Sequence, residues 1–538
     1  MHGFTMLCLA AADAIGVTVG AAASSRAAPI VNGQSTAEFP TAAVISVGGD
    51  DPRVCSGVLI GCSTILTAAH CLTRDGSDLT SDVPVRPEDV TVFLEHAGFF
   101  QAARISLHPQ FSFPFADVAI AQLEAPVNGI APSRLARSAP GSRTPSTVVG
   151  FGTTGDPESG IGIKRAGAVT TTPCPAAFRG LGLVCWAYSG TQATTCDGDS
   201  GGPLFLLDGR LAGVSAGGTS PGCLPGDIAI ETSVARHRSW IESTAAGDTR
   251  TRRCGDLPAV GTADVRSSAV QGSLATAGES RTHEFWVPGG VRELRIGLHG
   301  LDRGDADFDL FVHGPSPGPP ECSDNRPGQY GFCTVAAPDP GRWSIVAGAT
   351  EGDGPYQLTV AAFGGEPPVC GNDRIEVGEQ CDGVDRTACP DSCVNCRCLS
   401  CDPAGFTVDQ VQLSPSLFLQ GTLSESTARY LLNPTTVPLT LQVADGSEHW
   451  FSITIPAGDA GWRHSGRRGY RWLGQRDGLR RMTIRKAFGT AGWRVQITGR
   501  HVPGADRIGL SRLQILLAAG ATCGVKQFGN PSPSLAQD

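Results

Sequence analysis

Cys196-Asp-Gly-Asp-Ser-Gly-Gly-Pro203 is the stretch that decides the reading of this chain. An acidic residue and a serine sit between glycines, in a run too short and turn-rich for a helix or a strand. Glycines free the backbone there, so that N–H groups can face a ligand. Such a serine becomes a nucleophile when a base lies beside it, and two further stretches supply partners. Thr67-Ala-Ala-His-Cys71 ends an apolar run on a histidine next to a cysteine. Ala116-Asp-Val-Ala-Ile-Ala-Gln-Leu123 sets an aspartate at the head of an apolar strand. Taken singly, a histidine at a strand end or an aspartate before a strand is ordinarily structural. In the order His, Asp, Ser the three are hard to explain blandly.

Around them, short β-type runs (Ala42–Val47, Val58–Leu66, Val90–Leu94, Val118–Leu123, Val148–Gly150, Leu211–Ser215) alternate with turn-rich connections, before a short helix expected near Val234–Ile241. With Ile30-Val-Asn-Gly33, His108-Pro-Gln-Phe111 and Ser239-Trp-Ile241, these stretches resemble the chymotrypsin-like (trypsin-fold) serine protease family over Ile30–Ser243.

The resemblance implies a catalytic triad of His70, Asp117 and Ser200. His70 would take the serine proton during attack on a peptide carbonyl and return it to the leaving amine. Asp117 would fix the imidazole tautomer. Backbone N–H groups of Gly198 and Ser200 would form the oxyanion hole. Asp199 would receive the α-ammonium of Ile30 once an activating protease had cut before it. One departure stands out: Pro29 occupies the place where most relatives carry Arg or Lys, and a cut after Arg26 leaves Ala27-Ala28-Pro29 attached. The same resemblance pairs Cys55 with Cys71, Cys174 with Cys185, and Cys196 with Cys223. Cys62 and Cys254 fall outside those pairs, and the expectation is that they join each other.

In the family, the residue six before the serine floors the primary specificity pocket; here it is Thr194. A basic substrate side chain would want a carboxylate there, because a buried unpaired charge is expensive. A neutral threonine therefore points to cleavage of proteins or peptides after non-basic residues. Ser215, Gly217 and Asp227 would complete the pocket wall, although Asp227 also reads as a solvent-facing loop residue. Ala216 stands where relatives carry a tryptophan, so the upstream subsites would be less apolar.

The bulk numbers agree with an exported, mainly β protein. Among 538 residues, 70 Gly and 38 Pro with only 17% charged residues favour strands and turns. A net charge of −9 argues against nucleic acid as a partner. Nineteen cysteines suit an oxidising compartment. Leu7–Ala23 reads as a signal segment, closing on Ala21-Ala22-Ala23, though it lacks a leading basic residue and Asp13 interrupts it. Loss of Cys8 with it leaves an even cysteine count. No other run approaches the roughly 18 apolar residues of a membrane span. The expected localisation is extracellular, with residues 1–29 a signal peptide and short propeptide and 30–245 the protease domain.

Beyond a polar stretch with Arg250-Thr-Arg-Arg253, read as a linker, residues 262–363 resemble the bacterial pre-peptidase C-terminal domain, a small β-sandwich. Asp305–Val312, the pair Cys322/Cys333, Gly341–Val346 and Tyr356–Val360 carry that likeness. No cofactor is required, but Asp305, Asp307 and Asp309 could offer oxygen ligands to calcium. Residues 370–401 hold seven cysteines and resemble a myxobacterial cysteine-rich repeat. Cys393-Val-Asn-Cys396 and Cys398-Leu-Ser-Cys401 invite a zinc reading, and in an oxidising compartment disulfides are expected instead. Residues 406–528 form a further β domain of unknown role. Trp450, Trp462, Trp472 and Trp493 there could be core or a binding surface. The fold class is thus mainly β: a chymotrypsin-like double β-barrel, a β-sandwich, a disulfide-rich spacer and a C-terminal β domain. The rival reading is a catalytically silent binding or adhesion module on the same fold.

Overall fold

A computed structural model of the chain describes residues 30–48, 53–75, 81–154, 161–220, 222–300, 306–369 and, with short gaps, 372–527. The expected signal segment and Ala27-Ala28-Pro29 lie outside them.

The first region opens with β1 (Gln34–Ser35), β2 (Ala42–Val47), β3 (Arg53–Gly61), β4 (Thr64–Thr67), β5 (Val90–Leu94), β6 (Gly98–Leu107) and β7 (Ala119–Leu123). It continues with β8 (Pro145–Gly150), β9 (Arg165–Thr170), β10 (Leu183–Ala187), β11 (Pro203–Leu206), β12 (Leu211–Gly218) and β13 (Ile228–Ser233), then α1 (Val234–Thr244). β2-β3-β4-β7-β6-β5 close into a barrel, and β1-β9-β8-β11-β12-β13-β10 make a seven-stranded sheet. Small and β-branched residues such as Ala43, Ile45, Val58, Ile65, Ile120 and Val92 fill the barrel. Ile30, Val148, Val169, Trp186 and Leu204 form a separate core against the sheet. The chain between barrel and sheet therefore brings strand ends from both cores together, and the site lies there.

Two expectations are corrected. The run Val58–Leu66 breaks into β3 and β4 at Cys62 and Ser63, because Asp248 captures the turn: its carboxylate accepts from Cys62 N–H (3.0 Å), Ser63 N–H (2.9 Å) and the Thr64 hydroxyl (2.7 Å). The Arg250–Arg253 stretch is no free linker, since Cys62–Cys254 ties it back to the barrel.

A two-sheet sandwich follows. Its strands are β14 (Val265–Leu274), β15 (Ser280–Val287), β16 (Val291–Gly300), β17 (Asp307–His313), β18 (Cys322–Asp324), β19 (Tyr330–Ala336), β20 (Gly341–Glu351) and β21 (Gly354–Gly364). The sheets β14-β21-β16-β19 and β15-β20-β17-β18 enclose Leu294, Ile296, Phe308, Leu310, Trp343 and Leu358. A disulfide joins Cys322 to Cys333. Asp305 lies outside the described residues. Asp307 accepts from the Gly328 N–H (2.9 Å) and Asp309 from the Thr350 hydroxyl (2.8 Å). Asp307 thus holds a loop of the sandwich and Asp309 a residue of the neighbouring strand β20.

Within the cysteine-rich stretch, Cys381 pairs with Cys393, and Cys396 is disulfide-bonded too, which removes both from a zinc site. In the C-terminal region, a five-stranded and a six-stranded sheet enclose a shared core. Trp462 and Trp472 belong to it, so these two are packing residues and not a binding platform. Among the described residues no helix is long and apolar enough to cross a membrane.

Candidate active site

His70 heads a single 3-10 turn, directly after β4. Asp117 precedes β7, the barrel neighbour of β4 through Thr67↔Ala119, so the two strands deliver both side chains to one edge. The His70 N–H donates to Asp117 Oδ1 at 2.9 Å, and Nδ1 donates to Oδ2 at 2.7 Å. Asp117 is fully buried, and its carbonyl accepts from the Thr232 hydroxyl at 2.9 Å. A buried carboxylate so held fixes which imidazole nitrogen carries the proton and leaves Nε2 as the outward acceptor.

The serine turn packs against the same edge. A Cβ at Gly201 would overlap Thr67 Oγ1 and the Ser56 carbonyl, and the Ser56 N–H donates to the Ser200 carbonyl at 2.8 Å. Ser56 also donates its hydroxyl to the Gly198 carbonyl (2.9 Å) and accepts from the Phe151 N–H (3.1 Å). Gly198 has φ +88°, and a Cβ there would lie 2.9 Å from Gly152 Cα. Backbone conformation and space both demand glycine at this corner. Among the described residues no hydrogen bond joins Ser200 Oγ to His70, a contact that commonly tightens only when substrate is bound.

Asp199 points the opposite way, into the core. It is fully buried; Oδ1 accepts from the Gly152 N–H and Oδ2 from the Cys196 N–H, each at 2.8 Å. Burial pushes its pKa up to about 7 against those two donors. Ile30 is also fully buried; its pairing with Asp199 is an expectation for the chain cut before Ile30.

Disulfides join Cys55 to Cys71, Cys174 to Cys185, and Cys196 to Cys223. The first braces the histidine turn and the last the serine turn.

Thr194 is fully buried, and its hydroxyl finds no hydrogen bond in the described residues. Ser215 and Gly217 lie on β12. Asp227 corrects the solvent-facing reading. It is 4% exposed, and its Oδ1 accepts from the N–H groups of Thr219 (2.8 Å), Ser220 (2.9 Å) and Ile228 (2.7 Å) and from the Thr219 hydroxyl (2.8 Å). One oxygen is thus committed to its own loop.

Two residues escaped sequence reasoning. Glu231 sits opposite Ser215 across β12 and β13, fully buried. Burial pushes its pKa well up; the nearby Ser215 hydroxyl opposes this, proximity to Asp199 adds a smaller upward push, and neither carboxyl oxygen makes a hydrogen bond of ordinary geometry. It lies behind β12, at the strand that carries Ser215 and Gly217. Its only signal was one acid in an otherwise apolar strand. Phe113 stands edge-on to His70, with centroids 5.9 Å apart, and lies 3.6 Å from where a Cβ on Gly217 would be. A loop phenylalanine carries no local signal of that role.

Residues 30–241 match the trypsin family. Over 206 residues the chain is 30% identical to kallikrein-8 of Rattus norvegicus, an alignment covering 36% of this chain and 76% of that one. It is 30% identical over 214 residues to inactive snake venom serine proteinase 13 of Crotalus adamanteus, covering 37% and 80%. The solved structure of neuropsin, a serine protease expressed in the limbic system of mouse brain, aligns over 40% of this chain and 98% of its own. Its sequence identity is 27% and the TM-score 0.33.

Proposed function

The chain belongs to the trypsin family of serine proteases, and from that premise we propose that it is a secreted endopeptidase working through His70, Asp117 and Ser200. The observation that carries this reading is the 2.7 Å contact between His70 Nδ1 and fully buried Asp117, beside a serine turn packed on the same strand end. His70 Nε2 accepts the Ser200 proton as Oγ adds to the peptide carbonyl, and the imidazolium is stabilised by Asp117. The N–H groups of Gly198 and Ser200 receive the developing oxyanion, each donor worth roughly 3 kcal/mol. Collapse expels the amine with the proton from His70 and leaves an acyl-enzyme, which water then hydrolyses by the same steps.

Neutral Thr194 and the commitment of Asp227 Oδ1 to its own loop favour cleavage after non-basic residues. Disulfide richness supports export. We divide the chain at 30–245, 262–363, 370–401 and 406–528, and carry the second unit as a pre-peptidase C-terminal-like sandwich and the third as a cysteine-rich repeat.

A relative named inactive favours a second reading, a silent recognition module. Hydrolysis of denatured protein substrate by the purified chain beginning at Ile30 separates the two. Turnover abolished by Ser200→Ala supports the peptidase, whereas residual activity equal to that variant's favours the module.

A further inference from the structure

The barrel and the sandwich meet over a buried polar seam. Glu95, His96, Lys164 and His299 are all fully buried there. Lys164 Nζ pairs with Glu95 Oε1; His96 Nδ1 lies 3.2 Å from Oε1 and His299 Nε2 3.2 Å from Oε2. Burial would push the Glu95 carboxyl up, but Lys164, His96 and His299 outweigh it and hold the group well below the usual range. Arg295 donates to the carbonyls of His96 (2.9 Å) and Asn128 (2.7 Å), and Gln357 to that of Thr36 (3.3 Å). Breaking one partner away from a buried charge of this kind is costly, so the seam favours the docking geometry in which all of them meet.

Where the seam lands gives it a consequence. His299 Nδ1 donates to the Gly162 carbonyl at 2.9 Å, and a Cβ on Gly162 would overlap the Gly300 carbonyl. The Gly162 N–H in turn donates to the Phe151 carbonyl at 2.7 Å, and the His299 ring meets the Phe151 ring edge-on at 6.2 Å. The next residue, Gly152, holds Asp199 Oδ1 and abuts Gly198. One continuous chain of contacts thus runs from β16 of the sandwich to the turn that carries Ser200.

We propose that the sandwich is an intramolecular positioning element of the catalytic centre, with His299 clamping Gly162 and thereby fixing the Phe151–Gly152 corner on which the Asp199 turn is built. This rests on the peptidase reading above. His299 touches no reacting atom and is a positioning residue. Its two nitrogens have separate duties: Nδ1 serves Gly162, and Nε2 faces Glu95 and the Gln357 amide nitrogen at 3.3 Å.

That separation supplies the test. In the full chain, His299→Asn keeps a donor near the Nδ1 position and gives up the contact with Glu95, while His299→Gln does the reverse. Acylation of Ser200 by a fluorophosphonate, kcat and KM on a peptide, and the unfolding midpoint are measured for both variants and for wild type. The expected result is acylation and kcat within about threefold of wild type for the Asn variant. For the Gln variant they fall on the order of 10- to 100-fold with KM little changed, the scale of a small misplacement of reacting groups. Equal rates in the two variants, or rates that simply follow the unfolding midpoints, overturn the proposal. Each protein is matured so that it begins at Ile30; failure of that wild type to acylate rejects the peptidase reading and this inference with it, and an active wild type with an unimpaired Gln variant rejects the inference alone.

Discussion

Asp199 takes the Gly152 N–H at 2.8 Å on a fully buried carboxyl that makes no ion pair among the described residues. Burial raises its pKa from 3.8 to about 7. A carboxyl raised in the folded state holds its proton where the unfolded chain has lost it. Folding stability must then fall as pH rises through that window and level off above it. The expected outcome is declining denaturant stability of the uncleaved chain between pH of about 4 and 7, with Asp199→Asn flattening the decline. A chain beginning at Ile30, whose ammonium can neutralise Asp199, should show a smaller slope.

Asp248 predicts a purely structural effect. Its carboxylate gathers three donors at the β3–β4 turn, beside Cys62–Cys254. Asp248→Ala should lower unfolding free energy by roughly 1–3 kcal/mol, the cost of orphaning partly buried donors. The fluorophosphonate acylation rate should stay at the wild-type value, since no Asp248 contact reaches the serine turn.

Phe113 bridges His70 and the Gly217 edge of the cleft. Removing its ring with Phe113→Ala should raise KM for peptides with a bulky apolar residue upstream of the cut by about tenfold, a scale set by the apolar surface lost. A matching fall in kcat alone would place the ring's effect on His70 instead.

Thr194→Asp tests the pocket. A carboxylate at that fully buried position should shift preference toward Arg-containing peptides by tenfold or more, on the order of one properly paired charge. Asp227→Asn should leave the preference unchanged and loosen the 219–228 loop, because its Oδ1 already has four donors. Wild-type turnover of Arg peptides above apolar ones would contradict the reading of Thr194.

What the sequence made legible was local. Gly198, Ser200, His70 and Asp117 each lie in a short stretch whose residue types suit one task, and the mainly β architecture follows from turn spacing and strand runs. What it hid depends on distant segments. The β3–β4 break is dictated by Asp248, far along the chain. Glu231 looks like an ordinary strand residue until Ser215 is placed opposite it. Glu95, Lys164 and His299 carry no common spacing, and only docking of the sandwich unites them.

The most direct test of the central claim is the intact mass of the purified chain after a fluorophosphonate, with Ser200→Ala alongside. The account predicts one added probe mass on a chain that begins at Ile30, and none on the variant. A folded chain beginning at Ile30 that takes up no probe, or takes it up equally without Ser200, would contradict it.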